Sequence, residues 1–167
     1  MLILDPSMRP ELIEQFKSYR RPIVLIQSHS DDPEISSVTV ENEQGACTAM
    51  KHLLSLGYRD LVVVRGPSGV QDAQLRLAGC RKALKETPDA KCRFIDGHYA
   101  PDDALKAFRA DREANGLPRA IFALNDSMAL SILKELQATG VKVPEEVAII
   151  GFDGIDCSDY VGLTTVE

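Results

Sequence analysis

Six short apolar runs punctuate the chain: Leu2 to Leu4, Ile23 to Ile26, Leu61 to Val64, Phe94 to Ile95, Ala120 to Leu124 and Val147 to Ile150. Most are continuously apolar and do not alternate with polar residues. A strand of that kind is expected to be buried on both faces, which is the condition of a parallel sheet covered by helices.

The intervening stretches carry helical period. From Asn42, read as a cap, apolar residues recur through Ala46, Met50, Leu53 and Leu54 up to Gly57, a helix-terminating residue. Leu75 to Lys85, Asp103 to Ala114 and Ser127 to Thr139 repeat apolar residues at intervals of three and four, and Gly116 and Gly140 follow the last two. Strand and helix in alternation predict an α/β fold, a parallel sheet flanked by helices with right-handed crossovers. Residues 30 to 41 break the period, with Pro33 and an extended SVTV stretch, and are expected to form a crossover between two lobes.

At 167 residues and 44% hydrophobic the chain can bury a real core, and its net charge of −6 argues against nucleic acid as a direct partner. Lys and Arg are scattered and form no basic stripe. The opening MLILDPSMRPEL lacks the basic start and long apolar run of a signal peptide, and no apolar stretch approaches the roughly 18 residues that span a bilayer. A cytoplasmic location is the expectation. Cys47, Cys80, Cys92 and Cys157 have no metal-ligand spacing, nor have His29, His52 and His98, so reduced thiols and no metal or other cofactor are expected.

In open α/β sheets ligands bind beyond the carboxyl ends of the strands. The residues there are polar: Gln27, Ser28 and His29; Arg65 and Gly66-Pro67-Ser68-Gly69; Asp96 to Tyr99; Asn125 and Asp126; Gly151, Phe152 and Asp153. An aspartate, an asparagine and an aromatic at neighbouring strand ends suit a neutral polyhydroxyl or heterocyclic ligand. Asp153 and Asn125 offer directional hydrogen bonds to hydroxyls, Tyr99 a flat apolar face, and Arg76 a planar fork of donors. Asp, Asn and Gly at these places also serve as ordinary caps and turns. The GPSG loop before a helix has neither GxGxxG nor GKS/T, and Asp72 puts negative charge where a phosphate would bind. A phosphoacceptor receiver needs a lysine after a late strand, and none follows Leu124 or Ile150. Ser127 has no nearby base in sequence, and no nucleophile-base pair supports an enzyme.

The segments VENEQGACTAMKHLLSLGYRDLVVVRGP, RLAGCRKAL, AIFALNDSMALSILKELQATGVKVPEEVAIIGFDGID and LTTVE resemble the effector-binding core of the lactose/galactose repressor family, in consistent order over residues 38 to 167. The resemblance implies a periplasmic-binding-protein-like fold of type I, with an effector between two lobes and a homodimer along one side. It implies a partial amino-terminal lobe over residues 1–37 and a carboxy-terminal lobe over 38–167. Position by position it assigns Arg76, Asn125, Asp153, Asp72 and Tyr99 to the effector, and more loosely Gln27 and Ser28. Family members also begin with a helix-turn-helix headpiece, which is not seen here, so DNA would be reached only through a headpiece outside this chain.

The leading expectation is therefore a sensor domain of a transcriptional repressor, taking a sugar or sugar derivative, or else a purine or nucleoside. Two alternatives stand beside it. One is a solute-binding protein, which would require export. The other is a homodimerising module with a vestigial site, its surface formed by Met128, Leu130 and Leu133 with Cys157 and Tyr160 in the segment from Ile155 to Tyr160.

Overall fold

The computed structural model describes residues 2–4, 10–20, 22–28 and 30–167. His29 lies outside the described residues. The elements run β1 (Leu2–Leu4), α1 (Pro10–Lys17), β2 (Ile23–Ile26), β3 (Ile35–Val38), α2 (Asn42–Ser55), β4 (Asp60–Arg65), α3 (Gln71–Lys85), β5 (Lys91–Asp96), α4 (Pro101–Asn115), β6 (Ala120–Ala123), α5 (Asp126–Ala138), β7 (Ala148–Ile150) and α6 (Asp156–Val161).

Two sheets result, each wholly parallel. The first has the order β1-β2-β3 and the second β5-β4-β6-β7. β4 sits between β5 and β6, with Val64 level with Ile95 on one side and Ala123 on the other, and Phe122 of β6 is level with Ile150 of β7. Because all four strands point the same way, Arg65, Asp96, Ala123 and Ile150 end at one edge of the sheet. The polar residues that follow them are thereby gathered.

The continuity of the apolar runs has the expected consequence in the second sheet. Leu61 to Val64, Ala120 to Leu124 and Val147 to Ile150 are all buried, covered by Met50, Leu53 and Leu77 on one side and Phe108, Ile132 and Leu136 among others. A fully buried aliphatic or aromatic side chain of this kind stabilises the fold by about 1.5–3 kcal/mol relative to exposure. The first sheet is thinner. Its buried apolar residues are Ile23, Leu25 and Ile35, with Ile3, Ile13 and Phe16 packed against them, and Lys17 of α1 is paired to Asp32.

Several local expectations need correction. A third of the stretch from 30 to 41 is not a bare crossover, because Ile35–Val38 is a strand pairing with β2. Asn42 is not the cap: Glu41 holds that position, and Asn42 is the first helical residue, buried at 2% exposure. Its amide donates to the Val40 carbonyl and its carbonyl faces Arg76, a tertiary use that local pattern does not reveal. α3 begins at Gln71 and so brings Asp72 into its first turn. α1 and α6 are additional helices.

The helix face containing Met128, Leu130 and Leu133 is also different from its expected surface role. Met128 is wholly enclosed and Leu133 is 5% exposed, so both belong to this chain's own core, and Leu130 is half-buried against it. The expected partners on α6 do face outward: Cys157 is exposed and Tyr160 is 88% exposed.

Candidate ligand-binding cleft

At the carboxyl edge lies a cleft of about 440 Å³ lined by Gln27, Val40, Val70, Asp72, Arg76, Tyr99, Asn125, Phe152, Asp153, Val166 and Glu167. Its walls come from both sheets. Gln27 follows β2 and Val40 follows β3, whereas the others follow β4 to β7 or lie on α3 and the terminal segment. Of the residues expected to face a ligand, Asp72, Arg76, Tyr99, Asn125, Asp153 and Gln27 are brought together here. Ser28 is buried and lines an adjoining recess of about 210 Å³, which shares Gln27, Val40 and Asp72 with the main cleft.

Arg76 organises the floor. It lies one turn into α3 and is 6% exposed. Its Nε donates to Asn42 Oδ1 at 2.8 Å, and its Nη1 donates to the Leu124 carbonyl at 2.7 Å. Nη1 also lies 2.8 Å from Asp153 Oδ1. The guanidinium is stacked 3.8 Å from the centre of the Phe152 ring and 5.7 Å from that of Tyr99. A buried charge without such partners would be costly; here an amide, a carbonyl, a carboxylate and two rings hold it in one geometry.

The acids experience the same burial without the same compensation. Desolvation pushes the Asp153 carboxyl above its ordinary value of 3.8, although the Arg76 guanidinium beside it opposes the shift; Asp126 and Asp72 push it further up. Asp72 is raised for the same first reason, with Arg76 again opposing. Burial pushes the Tyr99 phenol up to about 12, so its hydroxyl remains a neutral donor; that hydroxyl is buried with no hydrogen-bond partner among the described residues.

Backbone strain concentrates at this place. Gln27 (φ 60°), Tyr99 (φ 60°) and Asp153 (φ 119°) all lie in the left-handed region that side chains other than glycine rarely adopt. Such conformations cost of order 1–3 kcal/mol each and cluster where a site fixes its geometry. Gly66 completes the fit, since a Cβ there would meet the Tyr99 ring at 2.5 Å. The first residue of the GPSG loop thus makes room for an aromatic wall.

Asn125 serves two ends. Its Oδ1 accepts from the Met128 amide at 3.0 Å as the cap of α5, as the ordinary reading of such a residue expects, and the residue also lines the cleft. Beside it, Asp126, another of the polar residues that follow β6, has a structural task. Wholly buried, its carboxylate accepts from Ile155 N at 3.0 Å, Ser158 Oγ at 2.9 Å and Thr165 Oγ1 at 2.6 Å. It ties the loop bearing Phe152 and Asp153, the start of α6 and the terminal segment into one unit. Gly151 is required beside it, because a Cβ there would fall 2.0 Å from Asp126 Oδ1. Phe152, marked in sequence only as an aromatic between Gly151 and Asp153, has its task in packing against Arg76.

Among the described residues no group of three or more His, Cys, Asp or Glu side chains is placed to hold a metal ion, and no helix is long and apolar enough to cross a membrane. Cys47 and Cys80 are buried, and burial raises the Cys80 thiol well above its ordinary value.

The periplasmic binding protein-like domain profile matches residues 50–167. The HTH-type transcriptional repressor PurR of Aliivibrio salmonicida is 29% identical over 175 residues, covering 100% of this chain and 52% of that protein. Among solved structures, the Escherichia coli transcriptional repressor ascG superposes with a TM-score of 0.84 at 25% identity, over 99% of this chain and 62% of its own. The transcriptional regulator CelR, solved as a cellobiose complex, superposes with a TM-score of 0.79 at 26% identity, over 95% of this chain and 50% of its own. The chain spans about half the length of the curated relatives it matches, which include the HTH-type transcriptional repressor PurR of several species and a catabolite control protein A. This chain belongs to the periplasmic binding protein-like domain family, in the form that makes up the core of LacI-family regulators.

Proposed function

We propose that this chain is the effector-sensing core of a cytoplasmic transcriptional repressor, and that a small molecule bound between the two sheets controls DNA binding by a headpiece outside it. The observation that carries this reading is the buried Arg76, wired to Asn42, Leu124 and Asp153 at the floor of a cleft walled from both sheets. A molecule held on that floor and touching Gln27 and Val40 interacts differently with open and closed arrangements of the walls, which is the requirement for a ligand to shift a conformational equilibrium. Asp72, Asn125 and Asp153 supply polar contacts, and Tyr99 supplies a ring face. This set favours a sugar or sugar derivative, with a purine or nucleoside as the next class. The cellobiose held by the structurally similar CelR supports the first.

The test is thermal melting of the chain against sugars, purines and nucleosides, with Asp153→Ala as the control. A ligand present at about 100 times its dissociation constant stabilises the fold by about 2.7 kcal/mol. A shift in the melting midpoint that disappears in the variant supports the reading; a shift retained in the variant places the ligand elsewhere.

Exposure of Tyr160 and Val161 on α6, at 88% and 50%, supports the further proposal that the regulator is a homodimer whose contact includes α6 with Cys157. Sedimentation of Tyr160→Asp checks it, and a dimer that persists unchanged excludes α6 from the contact.

A further inference from the structure

Resting on the effector reading above, we infer that the ligand of this cleft carries no negative charge: the site takes neutral polyhydroxyl compounds and turns away their phosphorylated or carboxylated counterparts. The lining contains three carboxylates, Asp72, Asp153 and Glu167, against one cation, Arg76. That cation is already engaged through its Nε and Nη1. Asp153 lies 2.8 Å from it, the Asn42 and Leu124 oxygens accept two of its N–H groups, and one face is covered by Phe152. Among the described residues, no ion pair reaches Asp72 or Glu167.

The other usual source of anion affinity is also taken. The start of α3 opens beside the GPSG loop, where free backbone N–H groups and the helix dipole attract negative charge, but Asp72 occupies the first turn of that helix. An incoming phosphate would face Asp72 at close quarters and find a single guanidinium, already shared with Asp153, to set against three carboxylates. A hydroxyl meets the opposite situation: carboxylate oxygens accept charge-assisted hydrogen bonds from it, and Tyr99 and Val70 offer apolar surface to the ligand's carbons.

The experiment compares matched pairs on the whole chain by thermal melting and calorimetry: ribose with ribose 5-phosphate, glucose with glucose 6-phosphate and glucuronate, and cellobiose, with inorganic phosphate as the minimal anion. The inference predicts that a neutral member stabilises the chain and that its anionic partner binds at least roughly ten-fold more weakly. Asp72→Asn should narrow that gap. Binding of inorganic phosphate or a phosphorylated sugar as tightly as the neutral sugar, abolished by Arg76→Gln, overturns the charge selection while leaving the effector reading intact. A chain that melts cooperatively and responds to no neutral or anionic compound overturns the effector reading itself, and the ligand class with it.

Discussion

Strands β2 and β4 each have a parallel neighbour on both sides, yet they are sealed very differently. Leu61 to Val64 of β4 are all buried, whereas β2 alternates buried Ile23 and Leu25 with partly exposed Val24 and Ile26. The second sheet is enclosed by a continuous core that includes Met50, Phe108, Ile132 and Leu136, while the first rests on three buried side chains and α1. The cleft lies between these unequal walls. Every charged group in its lining belongs to the better packed side, and the lighter wall contributes Gln27 and Val40. A binding site arranged this way keeps its chemistry rigid and leaves the opposite wall free to adjust, since local opening follows the regions with fewest buried apolar contacts.

The comparison can be broken most severely at the core. Phe122→Ala, at a wholly buried position of β6, should cost about 3–5 kcal/mol and lower the melting of the entire chain. Leu25→Ala removes an equally buried side chain from the lighter wall. Its cost, about 2–5 kcal/mol, should appear chiefly as faster amide exchange over residues 23–38, with the second sheet's protection preserved. Equal loss of protection in both sheets would show that the walls fold as one unit.

Asp126→Asn probes the knot on the stiff side. The neutral amide cannot satisfy three donors as a carboxylate does, so a loss of about 1.5–3 kcal/mol is expected in urea unfolding, with ligand affinity falling because Phe152 and Asp153 lose their anchor. Unchanged stability would remove Asp126 from that role.

A smaller effect should appear in the pH dependence. Asp153 and Asp72 have folded-state values raised above 3.8, chiefly by burial, so their ionised forms cost stability at neutral pH. That cost is relieved as pH falls through the raised values towards 3.8, and Asp153→Asn should flatten the slope of stability against pH in that window. Asp89 and the partly buried Glu135, lowered by the side-chain hydrogen bonds from Arg59 and Arg109, act in the opposite sense: their contribution is lost as pH falls below their ordinary values of 3.8 and 4.5. A slope unaltered by Asp153→Asn would mean that the cleft carboxylate is solvated as usual.

What could be read from residues alone follows the same division. The second sheet was legible because strands buried on both faces must be continuously apolar, and the convergence of Arg76, Tyr99, Asn125 and Asp153 follows from their places after parallel strands. α6 was not legible, since DCSDYV buries only Ser158 and carries no apolar period. α1 has partly buried Leu12, Ile13 and Phe16, but its eight residues are too few for the period to stand out. Met128 and Leu133 look like any apolar stripe until the helix is seen to be covered by β6, β7 and α4. The roles of Asn42 and Asp126 depend on partners 34 and 29 to 39 residues away, beyond the reach of local pattern.

The most direct test is amide hydrogen exchange of the whole chain with and without the sugar that gives the largest thermal shift. A ligand seated between the sheets should protect both walls, residues 23–40 on one side and the segments around Arg76 and Asp153 on the other. Protection confined to one wall, or appearing outside the cleft, would contradict an effector site shared by the two sheets.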